Sequence, residues 1–179
     1  MSLFVVLLRG INVSGHHIIR MNDLKTSISL LGYQNIQTYL QSGNVIFTSE
    51  EKNLKKIEDE LQRLIKKDFG YNVPVVVFTK EYFLKIFRNN PLLKASNFDL
   101  KKLAVVFLDQ IPEKELINSF NIDNYPEKII IVDRVIYLYY PNGIGRSKLN
   151  NKLIERKLKV IATARNWNTV SNLNQKLLD

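Results

Sequence analysis

The succession of strand-like and helix-like stretches predicts an α+β protein of two ferredoxin-like βαββαβ-type halves, the second modified and followed by a C-terminal helix. Three observations carry this expectation. The first 78 residues read in the order β-α-β-β-α-β. The order β-α-β-β-α begins again at about residue 103. No low-complexity segment separates the two runs, which gives expected halves at 1–80 and 81–179.

Residues 3–8, LFVVLL, form an unbroken β-former run and read as a buried strand. The loop RGINVSGHHIIR follows. In MNDLKTSISLLGY, Leu24, Ile28 and Leu31 share a helical face; Asn22 is the expected cap and Gly32 the expected stop. Two strands at about 36–40 and 44–48 meet at Ser42-Gly43, a hairpin signal. NLKKIEDELQRLIKKDF places Leu54, Ile57, Leu61, Leu64 and Ile65 on one stripe, and Gly70 ends that helix. A strand at 73–78 contains Pro74, which suits an edge or a strand start.

The helix KEYFLKIFR opens the second half and stops at Asn90-Pro91. PLLKASNFDL reads as a connecting loop, and 103–108 as a strand. A short helix, EKELINSF, precedes the strands KIIIVD and VIYLYY, which turn at Asp133-Arg134. SKLNNKLIERKL reads as a helix with Ser147 as its cap. The fourth strand is either the weak run KVIA at 159–162 or absent. A last helix is expected at about 164–178, capped by Thr163, with Trp167, Val170, Leu173 or Asn174, and Leu177 on one side.

The chain has 26 basic and 17 acidic residues, a formal charge of +9, and no cysteine. Without cysteine there is no disulfide framework, thiolate zinc site or cysteine nucleophile, which fits a reducing cytoplasm. The apolar run at 3–8 is too short for a membrane span and lacks the flanks of a signal peptide. Seven basic residues (Arg146, Lys148, Lys152, Arg156, Lys157, Lys159 and Arg165) crowd 146–165 against one acid, Glu155. Such a surface attracts anions; the plainer alternative is a solvated helix face.

Three loops gather the residue types that hold anions. In GIGRSKL the glycines let main-chain amides turn inward, and a helix start presents unpaired N–H groups. Arg146 and Lys148 stand where helices prefer acids, each misplacement costing about 0.3–1 kcal/mol unless an anion relieves it. The G-x-x-x-x-G-K-[ST] spacing is not met. In TARNWNTV, Arg165 and Asn166 stand beside Trp167, which shares a helical face with Val170 and Leu177 and so suits a core as well as a stacked base. In RGINVSG, Arg9 at a strand end suits a phosphate or carboxylate, although the spacing is not a dinucleotide fingerprint. QSGN reads first as hairpin chemistry. The two histidines, His16 and His17, are adjacent and cannot share a helix face, and no acidic cluster has metal-ligand spacing.

Taken together, LLRGINVSG, MNDLK, YLQSGNVIF, YYPNGIGRSKL and TARNWNTV resemble the mainly bacterial domain-of-unknown-function family 1697, over nearly the whole chain. The resemblance implies an α/β fold compatible with a duplication and supplies no reaction. It singles out Arg9, Gly10, Asn12, Ser42, Gly43, Asn44, Gly143, Arg146, Ser147, Lys148, Arg165, Asn166, Trp167 and Thr169. The His16-His17 pair departs from it, which argues against a histidine-based catalytic role.

The expected activity is therefore binding of an anionic, phosphate-bearing small molecule or nucleic acid, with no cofactor, no metal and no membrane. The expected ligand-binding residues are Arg9, Asn12, Ser42, Asn44, Arg146, Ser147, Lys148, Arg165 and Asn166. The alternatives are an enzyme acting on a phosphorylated or carboxylated metabolite, for which no residue nominates itself as a base, and a protein–protein interaction module. Oligomeric state is not encoded legibly.

Overall fold

The computed structural model describes residues 1–13, 15–94 and 98–179. Its contacts divide the chain into two compact units, Met1–Phe83 and Leu84–Asp179. Each holds one four-stranded antiparallel sheet, and the chain has six α-helices among the described residues.

In the first unit the order is β1 (Ser2–Leu8), α1 (Met21–Ser29), β2 (Gln34–Tyr39), β3 (Asn44–Ser49), α2 (Leu54–Phe69) and β4 (Val75–Thr79). The strands lie in the order β2-β3-β1-β4. α1 and α2 cover one face, where Phe4, Val6, Leu8, Phe47 and Val77 meet Leu24, Ile28, Ile57, Leu61 and Ile65. The other face is not left free. Val5, Leu7, Ile46, Val76 and Phe78 are as deeply buried. This is why β1 reads as a continuous apolar run and not as an alternating one.

Helix ends follow their caps. The Asn53 side chain accepts from Lys56 N, and α2 stops at Gly70, whose φ of 78° suits a left-handed C-cap. The expectation for Asn22 is corrected: α1 starts two residues earlier, at Met21, with Arg20 at the cap position and no side-chain cap bond. Asn22 is spent inside the helix, where its carbonyl accepts from Thr26 Oγ1 at 3.1 Å. Leu31 lies beyond the helix end.

The Asn12 side chain clasps the β1–α1 loop. Asn12 Nδ2 donates to Ile19 O (2.9 Å) and Gln41 O (2.8 Å), and its Oδ1 accepts from Ile19 N (2.8 Å). Asn12 itself has φ 53°, a conformation asparagine tolerates. Replacing Asn12 with alanine removes all three bonds and leaves alanine in the left-handed region. We expect a loss of about 2–3 kcal/mol, read as a lower urea midpoint at unchanged m.

In the second unit the order is α3 (Lys80–Arg88, which carries the boundary), β5 (Leu103–Leu108), α4 (Lys114–Ser119), β6 (Lys128–Val132), β7 (Val135–Tyr139), α5 (Asn151–Leu158), β8 (Ala162–Asn166) and α6 (Trp167–Lys176). The expected connecting loop at 91–100 has a 3₁₀ turn at Pro91–Lys94, and a second follows at Leu100–Lys102; residues 95–97 lie outside the described residues, as does Ser14 in the β1–α1 loop. The strands lie in the order β6-β7-β5-β8, the order of the first sheet. α4 and α5 lie on the face of Val106, Leu108, Ile136 and Leu138. α6 packs on the opposite face, where Tyr137 Oη donates to Ile86 O at 3.0 Å and Trp167 stacks on Phe87 at 5.0 Å.

The fourth strand is present, but later than expected. β8 runs antiparallel along β5 from Leu108↔Ala162 to Ala104↔Asn166. Lys159, at φ 52°, closes α5, so 159–160 form its exit and not a strand. β8 uses the alternation Ala162 and Ala164 inward, Thr163 and Arg165 to the α6 face. Its composition carries little β-propensity; the unpaired edge of β5 recruits it.

Candidate polyanion-binding surface

The glycine-rich segment that follows β7 is a turn of two steps. Gly143 has φ 87°, residues Ile144–Arg146 make a 3₁₀ turn, and Ser147 then extends with ψ 140°. Ser147 Oγ accepts from Leu149 N at 2.9 Å. α5 starts only at Asn151, capped by Asn150, whose Oδ1 accepts from Leu153 N at 3.0 Å. The cap expected at Ser147 is thus corrected, and Lys148 lies ahead of the helix. An asparagine cap competes well with serine, and Leu149, 3% exposed, ties the segment between them to the core.

Arg146 and Lys148 thus precede the helix, and the cations of this segment remain together in sequence and exposed. Arg146, Lys148, Lys152, Arg156, Lys157 and Lys159 are all exposed. Lys152 and Arg156 are four residues apart on α5 and share a face. Glu155, the one acid of the stretch, is turned away: its Oε1 accepts from Ala162 N at 3.0 Å. Through that bond the Glu155 carboxylate supports the turn from α5 into β8.

Arg165 does not join them. It sits in β8, 7% exposed, with Nη1 donating to Thr163 Oγ1 (2.8 Å) and Ala164 O (2.9 Å). Burial pulls its guanidinium down to about 10. Asn166 is exposed, but its Oδ1 caps α6 by accepting from Thr169 N at 2.8 Å. The caps expected from Thr163 is corrected accordingly, since Thr163 lies inside a strand. Trp167 is 5% exposed against Phe87 and serves the core. Replacing Arg165 with alanine is expected to cost about 2–4 kcal/mol of stability and to leave affinity for an anion unchanged. Thermal unfolding and a binding isotherm measured on the same variant check both halves of that expectation.

The remaining expected ligands lie in the first unit. Asn12 is the loop clasp described above. Asn44 is fully buried, and its Nδ2 donates to Tyr39 O (2.9 Å) and Ser42 Oγ (3.0 Å). Both side chains thus shape the β2–β3 turn. Arg9 is partly exposed, and its N donates to Pro74 O at 2.9 Å. A cavity of about 350 Å³ lies beside these loops, lined by Arg20, Met21, Asn22, Asp23 and Gln41. Arg20 favours an anion there and Asp23 opposes one, so the cavity is weaker than the α5 face. Gln41 opens the QSGN segment, read from sequence as hairpin chemistry, and Arg20 carries no signal of a site.

The described residues hold no group of three or more His, Cys, Asp or Glu side chains able to take a metal ion. The second unit does contain a buried carboxylate. Glu127 Oε2 has no hydrogen-bond partner, and the nearby Tyr140 phenol is pushed up to about 12, by burial first and by the Glu127 charge second.

A family model described as a protein of unknown function, DUF1697, matches residues 1–137. The chain belongs to the DUF1697 family. The match covers the first unit and the second as far as β7; the glycine turn, α5 and α6 lie beyond it. A solved structure of a conserved bacterial protein, SP0830 of Streptococcus pneumoniae, is similar over 98% of each chain, with a TM-score of 0.76 and 18% identity. At that identity the likeness speaks for the shared α+β fold alone. No curated protein matches this DUF1697 chain. No helix among the described residues is long and apolar enough to cross a membrane.

Proposed function

We propose that this DUF1697 protein binds a phosphate-bearing polyanion, nucleic acid above all, along α5 and the turn that leads into it. The observation that carries the proposal is the excess of six exposed cations over 146–159 against one acid, the half-buried Glu155, whose Oε1 accepts from Ala162 N. Solvated faces kept only for solubility usually interleave both signs, because like charges four apart on a helix repel. An elongated face of point charges suits a repeating phosphate backbone better than a single small anion, which needs a concave site.

The same proposal takes each half as a ferredoxin-like domain, with the boundary near residue 80. Both sheets follow the fourth-first-third-second strand order with βαββαβ connections, which supports that view. A cytoplasmic setting fits a cysteine-free, basic chain.

The test is a salt titration of binding to a labelled oligonucleotide. Neutralising about four phosphates of a single strand predicts a log–log slope near −3, so affinity falls roughly 50-fold between 50 and 200 mM salt. Absence of binding at 50 mM salt overturns the proposal.

A further inference from the structure

Next to the basic turn the second unit carries an aromatic pair outside the cluster that α4 and α5 cover. Tyr139 is the last residue of β7, and Phe98 lies against it with ring centroids 4.3 Å apart at 40°. Both rings are partly exposed and stand outside the hydrophobic cluster that α4 and α5 cover. Lys128, across the β6–β7 ladder from Tyr139, places its Nζ 4.8 Å from the centre of the Phe98 ring. Lys101 is exposed on the neighbouring 3₁₀ turn, and Lys102 Nζ donates to Pro141 O at 2.8 Å, which ties the start of the basic turn to the start of β5.

We infer that the polyanion is single-stranded nucleic acid, and that Phe98 and Tyr139 supply the stacking platform for one or two of its bases. This rests on the polyanion reading above and adds to it the choice between single strand and duplex. Every base offers a π-face, and a base stacked on an aromatic side chain is bound without regard to sequence. Paired bases in a duplex cannot reach such a ring. The exposed Lys128 occupies the position over Phe98 that a base would take. An ammonium over a ring at an exposed site is weakly held, so a base displaces it and the lysine moves to the adjoining phosphate.

Tyr139 shares the sheet face of Tyr137 and α5 covers the other, so the strand runs from the rings along the turn through Arg146 toward α5. Fully extended, the chain from Tyr139 to Arg146 spans at most about 25 Å. A strand of the length that small single-strand-binding sites accommodate, roughly 4–16 nucleotides, covers that gap. The rings fix bases and the α5 cations fix phosphates, a division that gives stacking the single-strand preference and charge the salt dependence.

The experiment compares a fluorescein-labelled dT12 or rU12 with a 12-base-pair duplex at 100 mM salt, using the wild-type chain and the variants Phe98→Ala, Tyr139→Ala and Tyr139→Phe. The inference expects single strand to bind at least tenfold tighter than duplex. It expects either alanine variant to lose about 5- to 30-fold on single strand and to change little on duplex, and Tyr139→Phe to restore wild-type affinity. A thermal unfolding curve for each variant separates lost stacking from lost folding; if Tyr139→Ala unfolds, Phe98→Ala and Lys128→Gln carry the comparison. Equal affinity for the two nucleic acids, or alanine variants that bind single strand as the wild type does, overturns the inference while the polyanion proposal stands. No binding to either ligand, with a folded chain, overturns both.

Discussion

Replacing Gly43 with valine is expected to lower the stability of this protein by about 3–5 kcal/mol and its melting temperature by roughly 10 °C. Gly43 has φ +76°, where any side chain is strained and a β-branched one most of all. A Cβ built there would meet Leu8 Cβ at 2.7 Å and Ile11 Cδ1 at 2.9 Å. Neither neighbour can retreat, because both are 1% exposed in the core of the first unit. The Gly43 carbonyl also accepts from Leu8 N at 2.8 Å, so backing away breaks the bond between the β2–β3 turn and the end of β1. Gly32 is the control. It has φ +83° and nothing within 4 Å of a built Cβ. Gly32→Ala therefore shows backbone strain alone, about 1–2 kcal/mol. Equal losses at the two sites, by urea or heat, would show that close approach at Gly43 contributes nothing.

The second large effect has opposite signs in two measurements. Lys152→Glu is expected to weaken oligonucleotide binding roughly tenfold at 50 mM salt and to flatten the salt slope by about 1. The same substitution is expected to raise stability by about 0.5 kcal/mol. Lys152 lies in the first turn of α5, where a carboxylate suits the helix dipole, and it stands four residues before Arg156, where a carboxylate gains an ion pair in place of a repulsion. A cation kept against local stability is the mark of a residue held for binding. If Lys152→Glu leaves affinity unchanged, α5 is a solvated face and the polyanion proposal fails there.

The residues proposed as a site from sequence divide by how local their physics is. Arg146 and Lys148 needed only their neighbours: glycine in a turn and no adjacent acid leave a cation in water, and both are exposed. Asn12 and Asn44 are expected from sequence to hold a ligand; in the structure their amides donate to main-chain carbonyls of the two loops. An asparagine that tolerates positive φ and one that binds a ligand look alike in sequence. Arg165 was placed in a helix and exposed. It is buried in β8, because the free edge of β5 claims 162–166 before α6 begins. The Phe98–Tyr139–Lys128 cluster joins three separate segments, and only Tyr139, which opens YYPNGIGRSKL, falls in a quoted motif.

By itself the sequence determined the periodic elements and their order: α2 from its apolar stripe, α3 up to its stop at Asn90-Pro91, β1, β5 and β7 from β-former runs, the turn at Asp133-Arg134, and the surplus of positive charge over 146–159. These depend on contacts within a few residues, so composition and spacing suffice. Tertiary structure alone decided that both faces of each sheet are buried, that the weak segment Ala162–Asn166 is a strand, that Glu155 bonds to Ala162 N, and that Arg165 belongs to the interior. Each of those outcomes depends on a partner distant in sequence that supplies a hydrogen-bonding edge or removes water, and no local pattern of residues records where that partner will lie.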